Sequence, residues 1–271
     1  MDLARAINQY LDYCQFQKRL SGKTVKAYKI DLMQFTAFVA DCGEPFHKEK
    51  ISQYVRDLHL MYKPKTVKRK IASVRAFINY LEFEEMIDSN PVRKMRLGFR
   101  EPVALPKSLS LKTVRKLFST ANMLLSAEST KFRRGIRLRN MAVLELLFAT
   151  GLRVSELCSL HSADVNLQNG MVKVWGKGSR ERIVFVGNAE VLAVLREYER
   201  AQARDTKQSG WFFTNRFGNR LSEQSVRDMV KSYAAKAGIA GRVTPHMLRH
   251  TFATLLLEED VDIRYIQNIL G

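Results

Sequence analysis

The sequence predicts a mainly α-helical protein in two domains, with one small antiparallel sheet in the second. Three observations carry this. Apolar residues recur at helical spacing through most of residues 3–81, and again beyond residue 110. A basic, proline-marked stretch without periodicity separates the two regions. A single pair of alternating, β-branched runs flanks Gly176-Lys177-Gly178-Ser179, which is a hairpin signal.

The first domain, residues 1–95, reads as four helices. Leu3, Ile7, Leu11 and Cys14 form one apolar stripe. After Ser21-Gly22 a second runs through Val25, Tyr28, Leu32, Phe35 and Val39, to an end near Gly43-Glu44-Pro45. Ile51, Tyr54, Val55 and Leu58 make a short third. Pro64 opens a fourth carrying Val67, Ile71, Val74, Ile78 and Leu81, and Asn90-Pro91 breaks the pattern. Residues 96–107 read as a linker, with Arg96, Arg100, Pro102 and Pro106 after Arg93 and Lys94. It is either a plain tether or a tether that lies along a polyanion.

The second domain, residues 108–271, opens with Ser110 as cap of a helix from Leu111. Helices are expected at Arg139–Thr150, Val154–Leu160 and about 189–203, 222–237, 245–257 and 262–270. Met171–Trp175 and Arg182–Val186 are the two strands, and Phe212-Phe213 is a candidate for a short third.

Charge narrows the partners. The 271 residues hold 45 Lys and Arg against 27 Asp and Glu, a net +18 at pH 7. Residues 1–100 carry 19 of those basic and 11 of those acidic residues, so the excess is not confined to a tail. Two basic domains suit a polyanion, with counterion release supplying affinity. Charge alone leaves DNA, RNA and an anionic membrane surface open. No stretch approaches the ~20 apolar residues of a membrane span. Met1–Tyr13 lacks a signal-peptide core, so a cytoplasmic protein is expected. Cys14, Cys42 and Cys158 are scattered and odd in number, which fits reduced thiols.

Three segments could carry chemistry. In Ala149-Thr150-Gly151-Leu152-Arg153-Val154-Ser155-Glu156-Leu157 a glycine ends one helix and the next begins at once. Arg153 is placed in its first turn, with Glu156 at i+3 on the same face. That guanidinium can offer a planar fork to a phosphate; the bland alternative is a surface ion pair. Lys177, between two glycines at a hairpin tip, can reach a leaving oxygen or can be an ordinary solvated turn lysine. In Thr244-Pro245-His246-Met247-Leu248-Arg249-His250, threonine caps and proline takes the first helical position. His246, Arg249 and His250 then share a face at a helix start that favours anions. His246 and His250 have the i, i+4 spacing of a zinc helix, but Met-Leu-Arg between them breaks that pattern. No metal and no other cofactor is expected.

Together the three segments resemble the tyrosine recombinases, or phage integrases, with the Xer-type enzymes nearest. Ala149–Leu157 is similar to the family's first arginine motif, the Gly176–Gly178 turn to its lysine hairpin, and His246–His250 to its His-x-x-Arg box. The resemblance implies a helical, SAM-like core-binding domain and a catalytic domain that close on duplex DNA. It further implies that Arg153 and Arg249 bind the scissile phosphate, Lys177 is general acid, His246 assists proton transfer and Glu156 braces the arginines. A tyrosine would attack to give a 3′-phosphotyrosine link, within a synaptic tetramer on DNA.

The family's second histidine and its tyrosine would follow Asp262–Gly271, so the 271 residues are expected to bind DNA without cutting it. Tyr265 is not expected to be the nucleophile: its spacing from His246 and Arg249 is wrong, and it is read on a stripe with Ile266, Ile269 and Leu270. For DNA contacts, Lys23, Thr24 and Lys26 begin the second helix, and Lys65, Thr66, Lys68, Arg69 and Arg75 line the fourth. Solvated helix faces are the plain alternative. The rival reading is a non-catalytic DNA-binding protein of the same fold.

Overall fold

The computed structural model describes residues 2–40, 46–99, 108–176, 181–203 and 208–271. The chain divides into two compact units, residues 1–104 and 105–271.

The first unit is helical. α1 (Leu3–Asp12) is capped by Asp2 and runs into a π-helical turn, Tyr13–Gln17. α2 (Gly22–Val39) starts at the Ser21 cap, α3 spans Lys48–Met61, and α4 (Pro64–Phe83) has proline at its first position. The four apolar stripes meet in one core, in which Leu32, Val67, Phe77, Ile78 and Leu81 are fully buried. The linker reading needs correction at its start. Pro91–Lys94 is a 3-10 turn, and Met95, Leu97 and Phe99 pack on this core, Phe99 edge-on to His59 at 4.6 Å. Their every-other-residue spacing is an extended segment laid on an apolar surface. Residues 100–107, and Cys42, lie outside the described residues.

A charged cluster crosses this core. Asp31 on α2 is fully buried and accepts from Arg69, from Lys70 at 3.0 Å and from Ser73 at 2.8 Å, all on α4. Lys70, only 2% exposed, also donates to Gln34 and lies over the Tyr62 ring at 4.9 Å. A buried carboxylate and ammonium hold their charge only through such pairing.

The second unit packs helices around a small sheet. α5 (Leu111–Ser126) follows the Ser110 cap. α6 (Lys131–Thr150) starts two turns earlier than the sequence suggests. Arg133, Arg134, Arg137 and Arg139 interrupt its apolar stripe there, and partners elsewhere hold the turns: Arg134–Glu197 at 3.7 Å, and Arg139 to the Thr214 carbonyl at 3.2 Å. α7 (Val154–Cys158) is short.

The sheet has three strands, β1 (Val165–Asn166), β2 (Met171–Trp175) and β3 (Glu181–Phe185), in that order and antiparallel. Val172 pairs with Val165 on one side and Val184 on the other. β1 has only two residues and gave no alternation to read. Phe212-Phe213 is not a strand: isolated bridges flank it, and both rings are buried against Tyr198. Their hydrophobicity reflects aromatic packing. α8 (Ala189–Ala201), α9 (Glu223–Lys236), α10 (Pro245–Glu258) and α11 (Ile263–Leu270) complete the unit. No helix is long and apolar enough to cross a membrane, among the described residues.

Asp31→Ala strips the buried Lys70 of its counter-charge. It is expected to lower stability by about 3–5 kcal/mol, read as a drop in urea midpoint. A shift within experimental error would show that the cluster is solvated.

Candidate active site

α6 ends where Gly151 takes a left-handed conformation, φ 63°. A side chain there would collide: a Cβ would fall 2.5 Å from Phe252 Cδ1 and 2.8 Å from Leu270 Cδ2. The glycine therefore sets both the turn and the close approach of α10 and α11. Two residues on, Arg153 is the extended N-cap of α7, one position before the first turn in which the sequence placed it.

Glu156 is the centre of the site. It is 5% exposed, yet each of its oxygens has two donors. Oε1 accepts from Arg153 Nη1 at 2.8 Å and Arg182 Nη1 at 3.0 Å. Oε2 accepts from the Arg153 backbone N–H and from Arg182 Nη2, both at 2.8 Å. Burial alone would raise its pKa; the bonds from Arg182 and Arg153 outweigh that and hold it below the ordinary carboxylate range. Glu156 is therefore an anion at neutral pH.

Arg249 reaches the same place from the second turn of α10. Its Nη1 donates to the Gly151 carbonyl at 2.8 Å, its Nη2 to the Leu270 carbonyl at 2.9 Å, and it lies 3.9 Å from Glu156. Desolvation first, then the like charges of Arg153 and Arg182, pull its pKa down to about 10. It stays protonated, but in a place where positive charge is crowded. An arriving anion relieves that crowding.

The end of α11 is held by the same guanidiniums. Arg182 Nε donates to the Ile269 carbonyl at 2.9 Å, and Arg153 Nη2 to Gly271 at 2.6 Å. These carbonyls sit at the electronegative end of a helix, where cations are favoured.

The structure brings Arg153, His246 and Arg249 to the wall of one pocket. His246 is exposed in the first turn of α10, behind the Thr244 cap and Pro245. Lys177 lies outside the described residues. The sequence reading missed Arg182, Arg227 and Arg242. Arg227 and Arg242 line the pocket, and Arg227 is paired with Glu223 at 2.6 Å. Arg182 had a legible signal: strand alternation puts it on the inward face with Val184, and an inward arginine requires a buried anion.

Tyr265 is 67% exposed, off the stripe to which it was assigned. Ile266, its neighbour and about 100° round the helix, is the buried residue. Among the described residues no group of three or more His, Cys, Asp or Glu could hold a metal ion.

The surface residues chosen for nucleic acid all lie in the first unit. Lys23, Lys26, Lys65, Lys68 and Arg75 are exposed; Thr24 and Thr66 are half-buried, and the Thr24 hydroxyl bonds Ser21 at 2.9 Å. Arg69 differs, because part of its guanidinium is committed to buried Asp31.

Comparison with known proteins fits this geometry. Residues 108–271 match the phage integrase family, and residues 7–85 its N-terminal SAM-like domain. The chain belongs to the phage integrase family. A tyrosine recombinase of Agathobacter rectalis is 47% identical over 100% of the chain and 89% of its own length. Tyrosine recombinase XerC of Thermodesulfovibrio yellowstonii is 36% identical over 98% of the chain and 87% of its own. Among solved structures, XerA recombinase is 27% identical with a TM-score of 0.54, covering 100% of this chain and 90% of that one. XerH recombinase, in a post-cleavage complex with its substrate, shares the fold at 20% identity, a TM-score of 0.78, and coverage of 98% and 77%. The chain is an Xer-like tyrosine recombinase of mainly helical fold, in a family whose work is DNA recombination.

Gly151→Ala is expected to destabilise the chain by about 2–4 kcal/mol, combining left-handed backbone strain with overpacking. It should also weaken anion binding, since the Gly151 carbonyl anchors Arg249. Thermal unfolding and a phosphate titration test both effects; an unchanged protein would mean that the junction yields freely.

Proposed function

We propose that the protein is a site-specific recombinase that cuts and rejoins duplex DNA through a 3′-phosphotyrosine intermediate. The observation that carries this reading is the convergence of Arg153 and Arg249 on one pocket, with His246 beside them. Their partners are arranged so that positive charge remains after pairing. A phosphodiester oxygen gains charge as the phosphorus becomes five-coordinate, and fixed guanidiniums stabilise that gain without reorganising. Arg153 and Arg249 hold the two non-bridging oxygens. His246 assists proton transfer at the nucleophile. Lys177, four residues before Glu181 at the start of β3, protonates the 5′-oxygen as it leaves. The phosphotyrosine bond conserves the energy of the broken phosphodiester, so rejoining requires no external energy source.

The net +18 and the exposed lysines of α2 and α4 support a grip on the duplex by both units. Lys23, Thr24, Lys26, Lys65, Thr66, Lys68 and Arg75 are the contacts we assign to the first. Several protomers assemble on DNA during exchange, and the protein works in the cytoplasm.

Tyr198 and Tyr233 are buried, their hydroxyls bonded to the Phe212 carbonyl at 3.1 Å and to Asn140 at 3.3 Å, and Tyr265 faces solvent. No tyrosine lines the pocket of Arg153, His246 and Arg249 among the described residues, so the 271 residues alone are expected to bind duplex DNA without a covalent link. Affinity should fall by roughly a thousandfold between 50 and 200 mM salt. A flat response would contradict a phosphate grip, and an adduct lost on Tyr265→Phe would make Tyr265 the nucleophile. A form that supplies the attacking tyrosine should be trapped covalently on nicked duplex DNA. That trapping should disappear with Arg153→Ala, and its survival would remove Arg153 from the mechanism.

A further inference from the structure

Arg182 has no part in the chemistry outlined above, yet all three of its guanidinium nitrogens have partners inside the protein. It projects from β3 to the inward side, with only 13% of its side chain exposed. Nη1 and Nη2 form a parallel fork on the two oxygens of Glu156, at 3.0 and 2.8 Å. Its remaining edge, Nε, donates to the Ile269 carbonyl at 2.9 Å. Each nitrogen of the guanidinium thus has a partner inside the protein, which takes three of its five N–H groups. Arg182 is also not among the residues lining the pocket of Arg153, His246 and Arg249.

Its effect on that pocket is electrostatic. Glu156 contacts Arg153 at 2.8 Å and approaches Arg249 at 3.9 Å. A buried anion there would take for itself the charge of the two arginines that face the ligand. Arg182 supplies a third cation from the opposite side. Among these four side chains, three guanidiniums against one carboxylate leave two positive charges, and without Arg182 one would remain. The fork also fixes the plane of the carboxylate, and with it the direction of Arg153, whose Nη1 and backbone N–H bind the same two oxygens.

Resting on the phosphate-binding reading above, we propose that Arg182 is a positioning residue for this site. It neutralises and orients Glu156, so that Arg153 and Arg249 present undiminished charge to a phosphate. A lysine would keep the charge but lose the fork, because an ammonium is a point donor.

The test follows the Arg153 Nε–Hε NMR signal while inorganic phosphate is titrated into the 271-residue chain. Arg249→Ala serves as control for the site, and thermal unfolding checks each variant. Arg182→Gln is expected to weaken phosphate binding by about tenfold, the scale of one charge at a partly desolvated position. Arg182→Lys should lose less. Arg182→Gln combined with Glu156→Gln restores the two-charge excess and should recover most of the affinity. A purely structural arginine predicts the opposite: the double variant binds no better than the single one, and that result overturns the proposal. Unchanged binding in Arg182→Gln overturns it equally. An Arg153 signal that responds to phosphate in neither the parent chain nor Arg249→Ala sinks the phosphate reading itself, a failure distinct from the other two.

Discussion

Glu156 is the constraint on which the site depends. A carboxylate this buried keeps its charge only if all its acceptor positions are filled, and two arginines and a backbone N–H fill them. Those donors come from the start of α7 and from β3, while Arg249 comes from α10. One anion therefore locks three elements that are far apart in sequence. The lock leaves more positive than negative charge among these side chains.

The surrounding fold serves that arrangement. Gly151 lets α6 stop abruptly and brings its own carbonyl to Arg249. The close approach of Phe252 and Leu270 to that glycine explains why no larger residue fits. The end of α11 presents successive carbonyls to Arg182, Arg249 and Arg153. A helix terminus thus shares the cationic centre with Glu156, and the positions of the arginines are set from two sides. In the first unit the same physics recurs: Asp31 ties α2 to α4 through Arg69, Lys70 and Ser73.

Much of this was legible in sequence where local chemistry is strong. Caps at Ser110 and Thr244 and prolines at the first position of α4 and α10 marked helix starts to within a residue. Helical spacing and motif order single out Arg153, Glu156, His246 and Arg249, which the structure brings close together. What stayed hidden depends on contacts between distant segments. The first turns of α6 pair with distant groups such as the Thr214 carbonyl, and Phe212-Phe213 packs on Tyr198, so neither has a local period. Arg69 looked like a surface cation because its partner, Asp31, lies 38 residues away. Arg182 reads in sequence only as a strand residue, since its partner Glu156 lies 26 residues away.

The central claim is that residual positive charge around Glu156 holds a phosphodiester. The most direct measurement is a structure of the protein with duplex DNA bound. The account predicts one backbone phosphate bridging Arg153 and Arg249, with His246 beside it and the Glu156–Arg182 fork intact. A duplex that lies elsewhere, with no phosphate between those two guanidiniums, would contradict it.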